Sequence, residues 1–341
     1  MIQALCMRPT LCSFLCFCLL VAAACAGAPP PSPVGAQPLD LTIRSEPLLL
    51  KLDEPELHKI GRLIWRGGIS MTGTSPSFGG WSDLHVSPDG RTLTTISDLG
   101  SWLTAAIDYD SSGNLAGLDH ARIGSLRGLD GTPLANKVEA DAEGMAHMPD
   151  GSWLVSFERH HRIWRYPTLD GVPMPLNLPE DFARQPENGG VETLTVMPDG
   201  RVIAISEEYS LTPGLLVGWI GQPGAEGRYS WQSFQYTKTQ DFNPTALALL
   251  PDGGFVILER AFDMARGVRI RVMRFEAAEL KPGGTIRARE LAQLASPVAV
   301  DNLEGIAATK GPRGETLLWL ISDDNFNPLQ RNLLLLFELE K

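Results

Sequence analysis

The residues with the most chemical potential in this chain are carboxylates that recur in register. When the sequence is aligned on a repeated Pro-Asp-Gly turn, two acidic columns emerge. The column after the turn's second apolar run reads Asp98, Glu158, Glu207, Glu259 and Asp323, and the column before the first run reads Ser82, Glu143, Glu192, Thr245 and Glu304. In a β-hairpin these two places lie side by side at the end away from the turn. Like charges facing one another across a ladder destabilise it, so a positive counterpart is required. One solution is a divalent cation. Calcium takes about six to eight oxygen ligands, which Glu143, Glu158, Glu192, Glu207, Glu304 and Asp323 could provide with amide oxygens of Asn302, Asn325 or Asn188. The other solution is a Glu–Arg network built with Arg159, Arg162, Arg260 and Lys137.

The remaining polar residues discriminate less. His85 and His147 fall inside apolar runs and read as packing residues, whereas His160 and His161 adjoin Glu158 and Arg159 and fit a site role. The segment Asp323-Asp324-Asn325-Phe326-Asn327 is rich in oxygen ligands but lacks the spacing of an EF-hand loop. Gly79-Gly80 and Gly189-Gly190 precede apolar runs with strand character, so they read as turns and not as phosphate cradles. Ser97, Ser156, Ser206 and Ser322 recur just before the second acidic column, and none sits in a nucleophile-elbow sequence.

The turn that organises these columns stands at Pro88-Asp89-Gly90, Pro149-Asp150-Gly151, Pro198-Asp199-Gly200 and Pro251-Asp252-Gly253, with a degenerate copy at Pro312-Arg313-Gly314. The spacing, roughly 50 to 60 residues, is that of one small sheet per repeat. Pro presets φ and Gly supplies the positive φ that a hairpin corner needs. Each copy therefore predicts a hairpin. A third strand is expected at 103–109, 162–166, 215–220, 268–275 and 333–339, and a fourth at 121–126, 174–178, 231–236 and 287–294. Four antiparallel strands per repeat make a propeller blade, so the expected fold is an all-β propeller with the acids around one mouth of its central channel. A β-sandwich is the alternative, although sandwiches seldom repeat one turn so regularly. Five blades are detectable. A sixth would have to come from residues 39–69 and 110–140. The last repeat lacks a fourth strand, and 62–66 is expected to close the ring against 333–339.

A length of 341 residues suffices for a large core, and 43% hydrophobic with 20% charged residues is a globular composition. A net charge of -11 argues against nucleic acid as a partner, because no basic excess exists to neutralise phosphates. All five cysteines lie at or before Cys25, which leaves the folded domain without a disulfide framework or a Cys-based zinc site. Arg8 followed by the apolar run 11–24 reads as an export signal. Residues 1–26 form the expected signal peptide; in a lipoprotein reading 1–24 would be removed and Cys25 lipidated. Residues 27–55 read as a Pro-rich tether and N-terminal extension, and 56–341 as the propeller domain. The expected location is the periplasm or the outer membrane as a lipoprotein, with membrane contact only through that lipid. A monomer is expected.

Several motifs resemble a bacterial family described as having esterase-like activity of phytase. They are Phe78-Gly79-Gly80-Trp81-Ser82-Asp83-Leu84, Asp141-Ala142-Glu143-Gly144-Met145, Ser156-Phe157-Glu158-Arg159, Val300-Asp301-Asn302-Leu303-Glu304-Gly305-Ile306 and Ser322-Asp323-Asp324-Asn325-Phe326. The family is similar in turn to β-propeller phytases, which use calcium in the channel mouth to hydrolyse phosphate esters. The resemblance implies calcium on the Glu residues of blade-like segments such as 142–166. A phytase-type Asp-Asp-Pro-Ala signature is missing, and Arg159 stands where a second acid is expected. Three functions are consistent with these residues. The first is a calcium-dependent hydrolase of phosphate or other esters, with Arg159, His160, Arg260, Asn302 and Asn325 holding a small anionic ester. The second is a non-catalytic envelope propeller that binds a ligand or partner. The third is a regucalcin-type lactonase.

Overall fold

The computed structural model describes residues 34–35, 37–239 and 241–340. The expected signal peptide, Cys25 and most of the tether lie outside the described residues. All five copies of the turn form hairpin corners, and the glycines at 90, 151, 200, 253 and 314 have φ between +71° and +89°. In each, the glycine N–H donates to the carbonyl three residues back, as in Gly151 to Met148 (2.9 Å) and Gly314 to Gly311 (2.9 Å). A side chain with Cβ would be strained at this corner, which is why glycine recurs there.

The hairpins begin five sheets. The inner strands are Trp81–Val86, Ala142–His147, Val191–Val196, Asn243–Leu249 and Leu303–Lys310, and they define blades 1 to 5. Each inner strand packs against those of its two neighbours, including blade 5 against blade 1, so the ring is closed. The protein is a five-bladed β-propeller. Second strands such as Thr316–Ser322 are buried along almost their whole length, because neighbouring blades cover both faces of each sheet. Trp81, Trp219 and Trp319 fill the layers between blades and are essentially inaccessible.

Ring closure runs as the sequence implies. The strand Leu63–Gly73 pairs antiparallel with Asn332–Leu339, with Leu63 opposite Leu339 and Trp65 opposite Phe337. No sixth blade forms among the described residues. Leu39–Leu41 instead adds an edge strand to blade 1, Ile43–Pro47 pairs with Leu63–Gly73 on blade 5, and Leu115–Ser125 is the long fourth strand of blade 1. Part of the expected N-terminal extension is therefore woven into the propeller, since these short strands cover edges that would otherwise expose unpaired backbone. The fourth strand of blade 2 is only Met174–Pro175, shorter than the expected 174–178, because the chain leaves the sheet after Pro175.

Candidate functional site

The acidic columns converge because each inner strand carries the same irregularity. At Ser82, Glu143–Gly144, Glu192, Thr245 and Glu304 the pairing with the second strand shifts by one residue, so an extra residue opposes its partner strand. A bulge of this kind re-aims the extra side chain, here at the open end of the hairpin. One backbone bond then fixes the second column beside the first. Asp98 N–H donates to Gly80 O, Glu158 to Asp141 O, Glu207 to Gly190 O and Asp323 to Asn302 O, all within 2.7–2.9 Å. Every accepting carbonyl lies two residues ahead of the bulge.

Four blades contribute carboxylates to one mouth: Asp98, then Asp141, Glu143 and Glu158, then Glu192 and Glu207, and finally Glu304 and Asp323. Glu158, Glu192, Glu207 and Asp323 are buried, and Glu143 and Glu304 partly so. The fields reach across the channel. Burial raises Glu143 well above the usual carboxylate range, with Asp141, Glu158, Asp98 and Glu304 adding to the rise. Glu192 is likewise pushed far up by burial, then by Glu207 and Glu304, with Arg260 opposing. Asp323 is raised by burial and by Asp98 and Glu304. Burial pushes Glu158 up to about 7, with Glu207 and Asp141 adding and the N–H groups of Gly190 and Gly189 opposing. Those two N–H groups donate to Glu158 Oε1 at 2.6 and 2.7 Å, so the Gly-Gly pair cradles the protein's own carboxylate.

Three cations answer these acids. Arg260, from blade 4, places Nη1 2.8 Å from Glu304 Oε1 and Nη2 3.9 Å from Glu207 Oε1, and it also donates to the Asn302 amide oxygen. Lys137 meets Asp98 and lies 3.2 Å from Asp141. It sits in the short helix Lys137–Ala140, whose cap residue Asn136 accepts from Glu139 N–H. Arg159 pairs its Nε with Asp141 Oδ2 at 2.7 Å and reaches Glu187 at 3.4 Å. The eight carboxylates thus face Lys137, Arg159 and Arg260 alone among the described residues that ion-pair with them.

The surplus concentrates in two clusters. Asp141, Glu143 and Glu158 form one, and Glu158, Glu192 and Glu207 the other; in each, one oxygen from every member lies within 4.8 Å of the others. Glu192 Oε2 is buried and has no hydrogen-bond partner among the described residues. Hard carboxylate oxygens converging around a partnerless one form a donor set that can hold a metal ion.

Several expected site residues take other places. His160 is exposed and pairs Nδ1 with Glu139 at 3.3 Å, outside the acid cluster, and His161 bonds Pro186 O at 2.8 Å. Arg162 makes no ion pair with the acids among the described residues: its guanidinium lies over the Phe157 and Trp164 rings at 4.1 and 4.4 Å and donates to backbone carbonyls. Glu259 turns away from the mouth and accepts from the Tyr236 hydroxyl (2.8 Å) between blades 3 and 4. Asn302 Nδ2 donates to Glu304 Oε1 at 2.7 Å, and Asn325 N–H to Asp323 Oδ1 at 2.6 Å, so both stand at the mouth. The recurring serines are structural. Ser156 Oγ, for example, accepts from Gly144 N–H and donates to Val191 O of the next blade. His85 and His147 lie at the turn end of the channel, with rings 4.9 Å apart and both against Trp153.

Sequence reasoning passed over Asp141, a cluster member two residues before Glu143, and Asp83. Asp83 is 2% exposed and accepts from the N–H groups of Leu84 and, across to blade 2, Met145, each at 2.8 Å. Burial raises its carboxyl well above the usual range, against backbone bonds that include Ile306 of blade 5. It ties three inner strands together beneath the mouth.

Fold and site together define a five-bladed propeller with a buried acidic mouth able to hold a metal ion. The family model described as "Phytase-like: Esterase-like activity of phytase" matches residues 76–326, and the chain belongs to that family. No curated protein matches the sequence significantly. Among solved structures, the virginiamycin B lyase of Staphylococcus aureus is similar at 13% identity and a TM-score of 0.36, covering 83% of this chain and 68% of that one. A gluconolactonase of Xanthomonas campestris shows 11% identity, a TM-score of 0.40 and coverage of 90% and 97%. The α-L-arabinofuranosidase of Podospora anserina shows 10% identity, a TM-score of 0.46 and coverage of 89% and 98%.

Proposed function

We propose that the mouth binds calcium and that the protein is an exported, metal-dependent hydrolase of small anionic esters, phosphate esters foremost. The observation that carries this reading is the buried, partnerless Oε2 of Glu192 within a set of carboxylates that outnumbers its cations. Glu158, Glu192 and Glu207 would hold one ion, and Asp141 and Glu143 would extend the donor set through Glu158. A divalent cation bound there supplies Lewis acidity and an activated water. The protein's own part is to orient and discriminate. The Gly189 and Gly190 N–H groups fix Glu158, and Asn302 fixes Glu304. Lys137 and Arg159, at 41% and 25% side-chain exposure, stand where an anionic group would enter.

The test combines calorimetric titration of metal-stripped protein with calcium and turnover of p-nitrophenyl phosphate and p-nitrophenyl acetate. Calcium binding that is lost in Glu192→Gln, together with turnover that a chelator abolishes, is expected. Turnover indifferent to chelator, or no calcium binding, sinks the proposal. A second reading, a ligand-binding envelope propeller, draws on Arg260, which already offsets part of the repulsion by pairing with Glu304. Calcium binding without turnover of any ester or lactone would favour it.

A further inference from the structure

The degenerate fifth turn points to a second site on the opposite face. In the other four turns the Asp carboxylate accepts from the backbone N–H two residues on, at 3.0–3.1 Å for Asp89, Asp150, Asp199 and Asp252. Arg313 cannot do this. Glu315 takes over, and its Oε2 accepts from Arg313 N–H at 2.8 Å from a side chain that is 7% exposed. The turn is preserved by a substitute acceptor, and position 313 is released to carry a cation.

That cation borders a cleft of about 650 Å³ between blades 5 and 1, within the range of roughly 300–1,000 Å³ usual for small-molecule pockets. Clefts on the same face are smaller, about 330 Å³ between the turns of blades 2 and 3 and about 200 Å³ between blades 4 and 5. The fifth-to-first cleft is apolar within, lined by Ala106, Ile107 and Leu317. Tyr109 forms a wall, its ring edge-on to Trp319 at 6.2 Å and its hydroxyl donating to Gly90 O at 2.5 Å. Arg66 builds the opposite rim: it is largely buried and binds Glu338 (2.9 Å), Asn114 (3.0 Å) and two carbonyls of the 110–114 turn.

The residues that line this cleft carry more positive than negative charge, although the chain as a whole is acidic. Arg66, Arg91, Lys310 and Arg313 line it against Asp89 and Glu315, on a chain of net charge -11. Arg313 and Arg66 share Glu338. Lys310 and Arg91 are exposed and make no ion pair among the described residues; Arg91 acts on Asp89 only at longer range. Unmatched cations beside an apolar recess suit a ligand with both characters.

We propose that this cleft binds a small organic anion whose aromatic or aliphatic body lies against Tyr109 and Leu317 and whose carboxylate, sulfonate or phosphate group meets Lys310 and Arg91. The site is separate from the acidic mouth and does not depend on the function proposed there.

The probe is 1-anilinonaphthalene-8-sulfonate, which joins a sulfonate to an apolar body and fluoresces when desolvated. Titration of the folded protein is expected to show one saturable site. Lys310→Glu combined with Arg91→Glu should weaken it by about tenfold or more, and both positions are exposed, so the fold is retained. Ala106→Trp, which fills the recess, should abolish binding. Glu192→Gln should leave it unchanged. Competition by an alkyl carboxylate but not by an aryl phosphate, or the reverse, identifies which anion the cleft prefers, and either supports the site. Absence of saturable fluorescence overturns the proposal. So does binding that survives both cleft variants in protein whose circular dichroism is unaltered, or binding that is lost in Glu192→Gln.

Discussion

Replacing Glu158 with Gln tests the electrostatic state of the mouth through stability alone. Its carboxyl titrates at about 7 in the folded protein instead of 4.5. A raised carboxyl pKa means that folding disfavours the ionised form. The stabilisation is complete below about pH 4.5 and is lost as pH rises through about 7. At 1.36 kcal/mol per unit, the loss is about 3 kcal/mol. The wild-type profile alone does not isolate this. Burial, aided by His147, lowers His85 to about 4, which contributes in the opposite sense between pH 4 and 6.5. The difference between Glu158→Gln and wild type removes that contribution. Gln retains an oxygen to accept from Gly189 and Gly190 but carries no charge. Urea denaturation in chelator should therefore show the variant's relative stability rising by about 3 kcal/mol between pH 4.5 and 7.5. Calcium should cancel most of this difference near neutrality, since it stabilises only a site that binds it, by about 2.7 kcal/mol at a hundredfold excess over Kd. A difference that is flat with pH, or a variant less stable than wild type in chelator near neutrality, refutes the reasoning.

Other substitutions probe the frame. Gly144→Ala places a Cβ 2.6 Å from Glu192 O and 2.7 Å from Ser156 Oγ, and the overpacking should cost about 1–3 kcal/mol in urea melts and weaken calcium binding. Asp83→Leu leaves buried N–H groups of blades 1, 2 and 5 without their acceptor and should destabilise by about 3 kcal/mol or more, whereas Asp83→Asn, which keeps an acceptor oxygen, should cost less; thermal unfolding reads both. Arg260→Met removes the cation that burial lowers but Glu304, Glu192 and Glu207 hold well above its ordinary value. In chelator it should lose about 3 kcal/mol, and calcium should restore more stability to it than to wild type.

Some of this was legible from local pattern. The Pro-Asp-Gly corners, the apolar runs that flank them and the acidic columns are properties of short segments, and the structure keeps the hairpins at all five copies. Glu143, Glu158, Glu192, Glu207, Glu304 and Asp323 do share one mouth, because the column position fixes the end of the hairpin on which each lies. The exceptions have local causes that type and spacing do not reveal. Glu259 falls one residue short of the column: it pairs with Pro244 where Ser97, Ser206 and Ser322 pair in their blades, so Arg260 takes the acid's place and Glu259 meets a hydroxyl on blade 3. Arg162 lies one strand from the acids but rests over two adjoining rings. The turn at 312–314 reads as a decayed copy until Glu315 is seen to replace its missing acceptor.

By itself the sequence determined the repeat, the hairpins and the face on which the acids are carried, because each depends on contacts within a few residues. Only ring closure decided which acids meet. Asp98 and Asp323, or Glu143 and Glu304, lie in different repeats and feel one another solely because five sheets turn their inner strands toward one axis. Whether a carboxylate ends beside a guanidinium, a hydroxyl or another carboxylate is set by the neighbouring blade. That neighbour is chosen by packing of the whole ring, which no single segment encodes.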